Sequence, residues 1–262
     1  MENKNFIDKL SPRAAFKTGL ASGLAILFMV GFFVLLGVLL NKDEKTTTYS
    51  KKTSNEVSVN KDSGQRAVNP QPTGNKQINI KPVDKENDWI RGDVDARVSV
   101  IEFSDTECPF CKRFHSTMQE VVDYYDGEVN WVYRHFPLVQ LHSKAPKEAQ
   151  ATECAGEQGG NDAFWAYIDR LFEVSPTNNG LPESALPEIA EYVGLDVGQF
   201  QSCLDSGKYA DKVSDHTAQA TAAGGTGTPY SVIVSGDTKV PIPGALPIEQ
   251  VKSLIDPLLN NQ

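Results

Sequence analysis

The 262-residue chain is poor in cysteine, histidine, tryptophan and methionine, with four, four, three and three. It also lacks any basic surplus in its larger part. Residues 89–262 hold 12 Lys/Arg against 25 Asp/Glu, a net of −13. Phosphate contacts need a concentrated basic surface, so a nucleic-acid-binding role is excluded. There is no internal repeat. Cys154 and Cys203 each stand alone, with no second ligand two to four residues away, which argues against a zinc site shared with the other two cysteines. One further absence has the opposite effect. From Gly19 to Leu40 no residue carries a charge.

That run of 22 residues would make a helix about 33 Å long, against roughly 30 Å of bilayer hydrocarbon. Lys4, Lys9, Arg13 and Lys17 precede it and predict a cytoplasmic N-terminus over residues 1–18. Lys42, Lys45, Lys51 and Lys52 follow it and weaken that asymmetry. A cleaved signal peptide is the alternative, but its apolar region is shorter and ends in small residues, whereas this run ends Val-Leu-Leu-Asn-Lys. The expectation is a single-pass anchor at 19–40 with the rest of the chain extracytoplasmic. Residues 41–88, polar and without an apolar period, read as a flexible tether with an end-to-end distance of about 40 Å.

From Trp89 onward the sequence predicts an α/β domain. Val98–Phe103 and Val129–Phe136 are apolar, β-branched runs that read as buried strands. Between them, Phe110, Phe114, Met118, Val121 and Val122 recur at helical spacing, giving a strand–helix–strand unit. Five helices are expected over about 139–224: Ser143–Glu157, one capped by Asn161, Pro187–Val193, one opened by an Asp196/Gln199 capping box, and Lys208–Ala223. Tyr230–Val234, a strand with Val240 and Ile242, and a helix over Pro247–Leu259 close the chain.

Cys108-Pro109-Phe110-Cys111 falls where the first strand hands over to the helix. Residues three apart at a helix start lie on one face, close enough for a disulfide. The unpaired amides and positive dipole of the helix N-terminus stabilise a thiolate, which is both nucleophile and leaving group. Cys108 is the expected attacker and Cys111 the resolving thiol. A zinc half-site and a merely structural bond are the competing readings; the latter would close too small a loop to add much stability.

These segments resemble the DsbA-like thiol:disulfide oxidoreductases, a branch of the thioredoxin superfamily with a helical insertion. The resemblance rests on the strand before Cys108-Pro109-Phe110-Cys111, on Tyr133-Arg-His-Phe-Pro-Leu138, and on Gly227-Thr228-Pro229 before Tyr230–Val234. It spans about Trp89 to Leu259. It implies a thioredoxin fold over 89–262, a cis Pro229 facing the disulfide, and a backbone at Thr228 offered to an extended substrate chain. It also implies that Glu102, six residues before Cys108, lies buried beneath the site with a raised pKa and relays protons to Cys111. A strand glutamate facing solvent is the alternative for Glu102.

The resemblance further implies an enzyme that introduces disulfides into exported proteins and is reset by a membrane redox partner. It implies no cofactor and no metal, and the chain is expected to be a monomer. An isomerase, a reductant or a non-catalytic thioredoxin-fold binding domain are the alternatives. Phe110 brings no charge to the thiolate, and Asp105 and Glu107 are expected to raise the Cys108 pKa, predicting a mild oxidant. In an oxidising compartment Cys154 and Cys203 are expected to form a structural disulfide worth about 2–4 kcal/mol. Two inert thiols or a second redox relay remain open there.

Overall fold

The computed structural model describes residues 78–260. The expected cytoplasmic segment and the anchor at 19–40 lie outside them, as does most of the tether. No helix among the described residues is long and apolar enough to cross a membrane.

Five strands form one sheet in the order β1-β3-β2-β4-β5. They are β1 Trp89–Arg91, β2 Val98–Ser104, β3 Val129–His135, β4 Tyr230–Ser235 and β5 Thr238–Pro243. Only the β2–β3 pair is parallel. It is joined by helix α1, Pro109–Tyr125, as the apolar periodicity of that stretch requires. Asp126 (φ 41°) and Gly127 (φ 92°) stop the helix in left-handed backbone. Both central strands are almost wholly buried because helices cover both faces. One face packs Val98, Val100, Trp131, Tyr133 and Ile233 under α1 and α6, Ile248–Asn260. The other packs Ile101, Phe103, Val132 and Val232 against α5, Ala210–Ala222.

The insertion between β3 and β4 has its own small core, built by α2 (Ala145–Val174), α3 (Ala185–Tyr192) and α4 (Val197–Ser206). Cys154 and Cys203 are joined by a disulfide across it. Here the structure departs from the sequence expectations in two details. The two helices predicted around residue 160 do meet at a kink within α2, at Gly160 (φ 72°), but Asn161 does not cap the second. Its side chain instead accepts from Ile90 N–H (2.9 Å) and donates to Ile90 C=O (2.8 Å). At α4, the Asp196 carboxylate accepts from Gln199 N–H (2.7 Å) as a cap should. The return bond of the box is absent, however, because Asp196 N–H donates to Gln158 Oε1 (2.6 Å).

Residues 78–88, read as tether, are part of the domain. Ile80 is buried in the core beside α5. Arg134, itself buried, spends its guanidinium on this segment. It donates to Lys81 O (3.1 Å), Pro82 O (2.9 Å), both Asp88 carboxylate oxygens (3.0 and 2.7 Å) and Gln219 Oε1 (3.0 Å). A buried guanidinium is tolerable only when its donors are met, and the carbonyls of Lys81 and Pro82 with the side chains of Asp88 and Gln219 meet them. No hydrophobic period announces such a segment.

Candidate active site

Cys108 is the N-cap of α1, with Pro109 in the first turn, where a missing N–H costs nothing. Cys111 sits one turn in. Cys111 is fully buried and Cys108 is 5% exposed. Across the site the Thr228–Pro229 peptide is cis, and Cys108 Sγ lies 3.5 Å from the Thr228 carbonyl oxygen. Asp105 N–H points at Cys111 Sγ from 3.4 Å.

These surroundings drive the two thiols apart. The Cys111 thiol hydrogen-bonds the Cys108 sulfur and lowers the Cys108 pKa to about 6 against the opposing effect of burial; Thr228 and the first-turn amides of Cys111 and Phe110 add to the lowering. Burial pushes Cys111 well above the ordinary thiol range, and the neighbouring Cys108 and Glu102 push it the same way. One sulfur is therefore a thiolate at neutral pH and the other a thiol.

The expected raising of the Cys108 pKa by Asp105 and Glu107 is overturned. Both carboxylates turn into the protein and are engaged there. Asp105 accepts from Glu107 N–H (2.9 Å) and Leu138 N–H (2.7 Å), and His142 Nδ1 lies 2.9 Å from it. This contact holds His142 protonated to a higher pH than usual, although burial opposes it. Glu107 accepts from Asn179 N–H (2.6 Å). It also faces Glu148, whose pKa is pushed up to about 9 by burial first and by Glu107 second. Phe110 is half exposed at the surface, with the Arg113 guanidinium 5.3 Å from its ring centre.

Glu102 is fully buried in β2, with neither carboxylate oxygen in a well-formed hydrogen bond. Burial raises its pKa to about 8, with the nearby Ser104 and Trp131 side chains pulling the other way. A solvent-facing glutamate is thus ruled out. Sequence reading missed Ser104, His142 and Glu148. Strand alternation puts Ser104 on the face of Glu102 and was a usable signal; the other two are brought in by tertiary packing.

A second buried cluster lies at the C-terminal end of β3, where His135 pairs with Ser104 of β2. His135 Nε2 is 2.9 Å from Glu153 Oε1, and Lys212 Nζ is 2.7 Å from Glu153 Oε2. His216 Nδ1 accepts the backbone N–H of His135 (3.2 Å), which places the proton of a neutral ring on Nε2. Both carboxylate oxygens and a ring nitrogen are therefore already taken. The arrangement is a hydrogen-bonded core cluster rather than a ligand set for a metal.

A thiolate at a helix N-terminus, a buried partner thiol three residues on, and a cis-proline loop facing both define a protein thiol–disulfide oxidoreductase. A family model described as Thioredoxin matches residues 84–257, and the chain belongs to that family. DsbA2 of Pseudomonas aeruginosa superposes with a TM-score of 0.60 at 32% identity, covering 69% of this chain and 98% of that one. A thioredoxin-like oxidoreductase from Silicibacter pomeroyi gives 0.56 and 30%, covering 67% and 94%. Among curated proteins, Na(+)/H(+) antiporter NhaA 1 of Mycolicibacterium gilvum is 34% identical over 169 residues, 64% of this chain. That stretch is 26% of the relative, so the chain spans about a quarter of the protein that bears the antiporter name.

Proposed function

We propose that the chain is an extracytoplasmic oxidase, anchored through residues 19–40, that introduces disulfides into exported proteins. The observation that carries this reading is the asymmetry of the thiols, with Cys108 held near 6 and Cys111 pushed far up. A substrate thiolate attacks Cys108 Sγ in the oxidised enzyme. The Cys108–Cys111 bond breaks, its electron pair leaves with Cys111 Sγ, and that sulfur takes a proton, for which Glu102 is the nearby source. A second substrate thiolate then attacks the substrate sulfur of the mixed disulfide and expels Cys108 as a thiolate. The low Cys108 pKa makes it the better leaving group, which favours delivery of the disulfide. The Thr228 backbone, at the side of Cys108, is positioned to bond an extended substrate chain. The two electrons pass on to a membrane redox partner, and no cofactor takes part. The mild potential anticipated from Asp105 and Glu107 has no support left from those two residues.

The test is oxidation of a reduced, unfolded secreted protein by the full-length enzyme in detergent, alongside the Cys108–Cys111 reduction potential. A potential above the glutathione pool of the exporting compartment, with stoichiometric transfer of the disulfide, is the expected result. A potential near that of thioredoxin, about −270 mV, would make the protein a reductant and reverse the direction.

A further inference from the structure

Several buried polar groups converge beneath Cys111. Glu102 and Ser104 lie two apart on β2, and so on one face. In the parallel register Glu102 pairs with Tyr133, and on the other side it pairs with Ser231 of β4. The four residues are at most 2% exposed. The Glu102 oxygens, Ser104 Oγ, Tyr133 Oη and Ser231 Oγ all lack a well-formed hydrogen bond. Buried polar atoms are rarely left so, and a group of them around one carboxyl points to a function. Ser104 stands at the centre by register: it shares the β2 face of Glu102, the register partner of Tyr133 on β3, and although burial raises the pKa of Glu102, Cys111 and Tyr133, the Ser104 side chain lowers all three. The next residue, Asp105, sends its N–H to Cys111 Sγ.

We propose that Ser104 carries the proton between Glu102 and Cys111. A hydroxyl can do this because it donates with one site and accepts with another at the same moment. As Cys111 leaves, its thiolate takes the Ser104 proton while Ser104 takes the proton of the Glu102 carboxylic acid. The products are the Cys111 thiol, an unchanged Ser104 and the Glu102 carboxylate. When Cys111 attacks, each transfer runs backward. No electrons move in this relay, and it operates whichever way disulfides flow, so it stands apart from the oxidase reading. Tyr133 keeps its own proton throughout, because burial raises its pKa well above the ordinary value. The titratable groups around this site are Glu102, Cys108, Cys111, Tyr133, Asp105 and His135, which pairs with Ser104 and packs on the Tyr133 ring.

The experiment uses the full-length reduced protein in detergent and glutathione disulfide as probe. Cys108 attacks the probe first, then Cys111 resolves the mixed disulfide. Acid quenching and mass spectrometry follow both steps. In Ser104→Ala the first step should keep its rate within about twofold, while resolution slows about tenfold or more. Ser104→Thr, which restores a hydroxyl, should recover most of the loss. Resolution by Ser104→Ala at the native rate overturns the proposal. The native protein gives a second test that needs no variant. The resolution rate in mixtures of light and heavy water should curve with deuterium fraction, since two protons move together. A straight line means a single proton in flight, passed directly to Glu102, and overturns the relay.

Discussion

Cys108 Sγ and the Thr228 carbonyl oxygen are 3.5 Å apart although 120 residues separate them in the chain. The contact brings the reactive sulfur beside backbone that can hold an extended peptide, so the two cysteines should fail differently when replaced. Cys108→Ser should abolish exchange and trap nothing. Cys111→Ser should attack disulfide substrates through Cys108 and accumulate mixed disulfides, seen by non-reducing electrophoresis and mass spectrometry. Complexes formed through Cys111 in the first variant, and none through Cys108 in the second, would reverse the roles.

The thiolate absorbance of the reduced protein should titrate with a midpoint near 6. The hydrogen bond from Cys111 is the largest single cause of that value. Cys111→Ala should therefore move the midpoint upward by about one unit or more. An unmoved midpoint would assign the effect to the helix terminus alone.

Glu102 costs the fold stability at the pH where it works. Its folded pKa of about 8 lies above the ordinary 4.5. Between these values the folded state binds the extra proton, so stability falls as pH rises through this window and levels off above about 8. Glu102→Gln should remove that slope, which is at most about 1.4 kcal/mol per pH unit. The variant should melt higher than the native protein at pH 8 and exchange disulfides more slowly. Equal melting temperatures across the window would show that the carboxyl is not strained by burial.

His216 gives the opposite slope. Burial first, and the surrounding cations second, hold its folded pKa near 2 instead of 6.5. The unfolded chain gains a proton as pH falls below about 6.5 and the folded one does not, so stability is full above that value and is lost progressively on the acid side. Urea midpoints of native protein and His216→Gln between pH 7 and 4 should therefore converge or cross as the pH drops. Parallel curves would count against it.

If residues 19–40 are an anchor, the full-length protein stays in the membrane fraction after a high-salt wash. External protease should then release a fragment that begins before Ile78, because Arg134 holds the chain from Lys81 onward. Release of the intact domain by signal peptidase would contradict the anchor.

Much of this was legible in the sequence because it is local. The β2–α1–β3 unit follows from uninterrupted apolar runs and one helical stripe, and the thiol pair from its place between them. What escaped was set by tertiary contact. Strand β1 is three residues long and too short for a period. Residues 78–88 are held by one buried arginine more than by apolar pattern. Asp105 and Glu107 are the clearest case. Their charges stand within three residues of Cys108 in sequence, and only the fold reveals that Leu138, His142, Asn179 and Glu148 occupy them.

The two outer strands have a shared property that bears on the company such a protein keeps. At one border Asn161 occupies both the N–H and the C=O of Ile90. At the other, Pro241 and Pro243 leave two of the six residues of β5 without an N–H. A catalyst that handles polypeptides before they have folded is surrounded by chains eager to add themselves to any open sheet. Here side-chain chemistry blunts both borders, so if unfolded chains are the substrates, as proposed above, they find little purchase there and are free to leave.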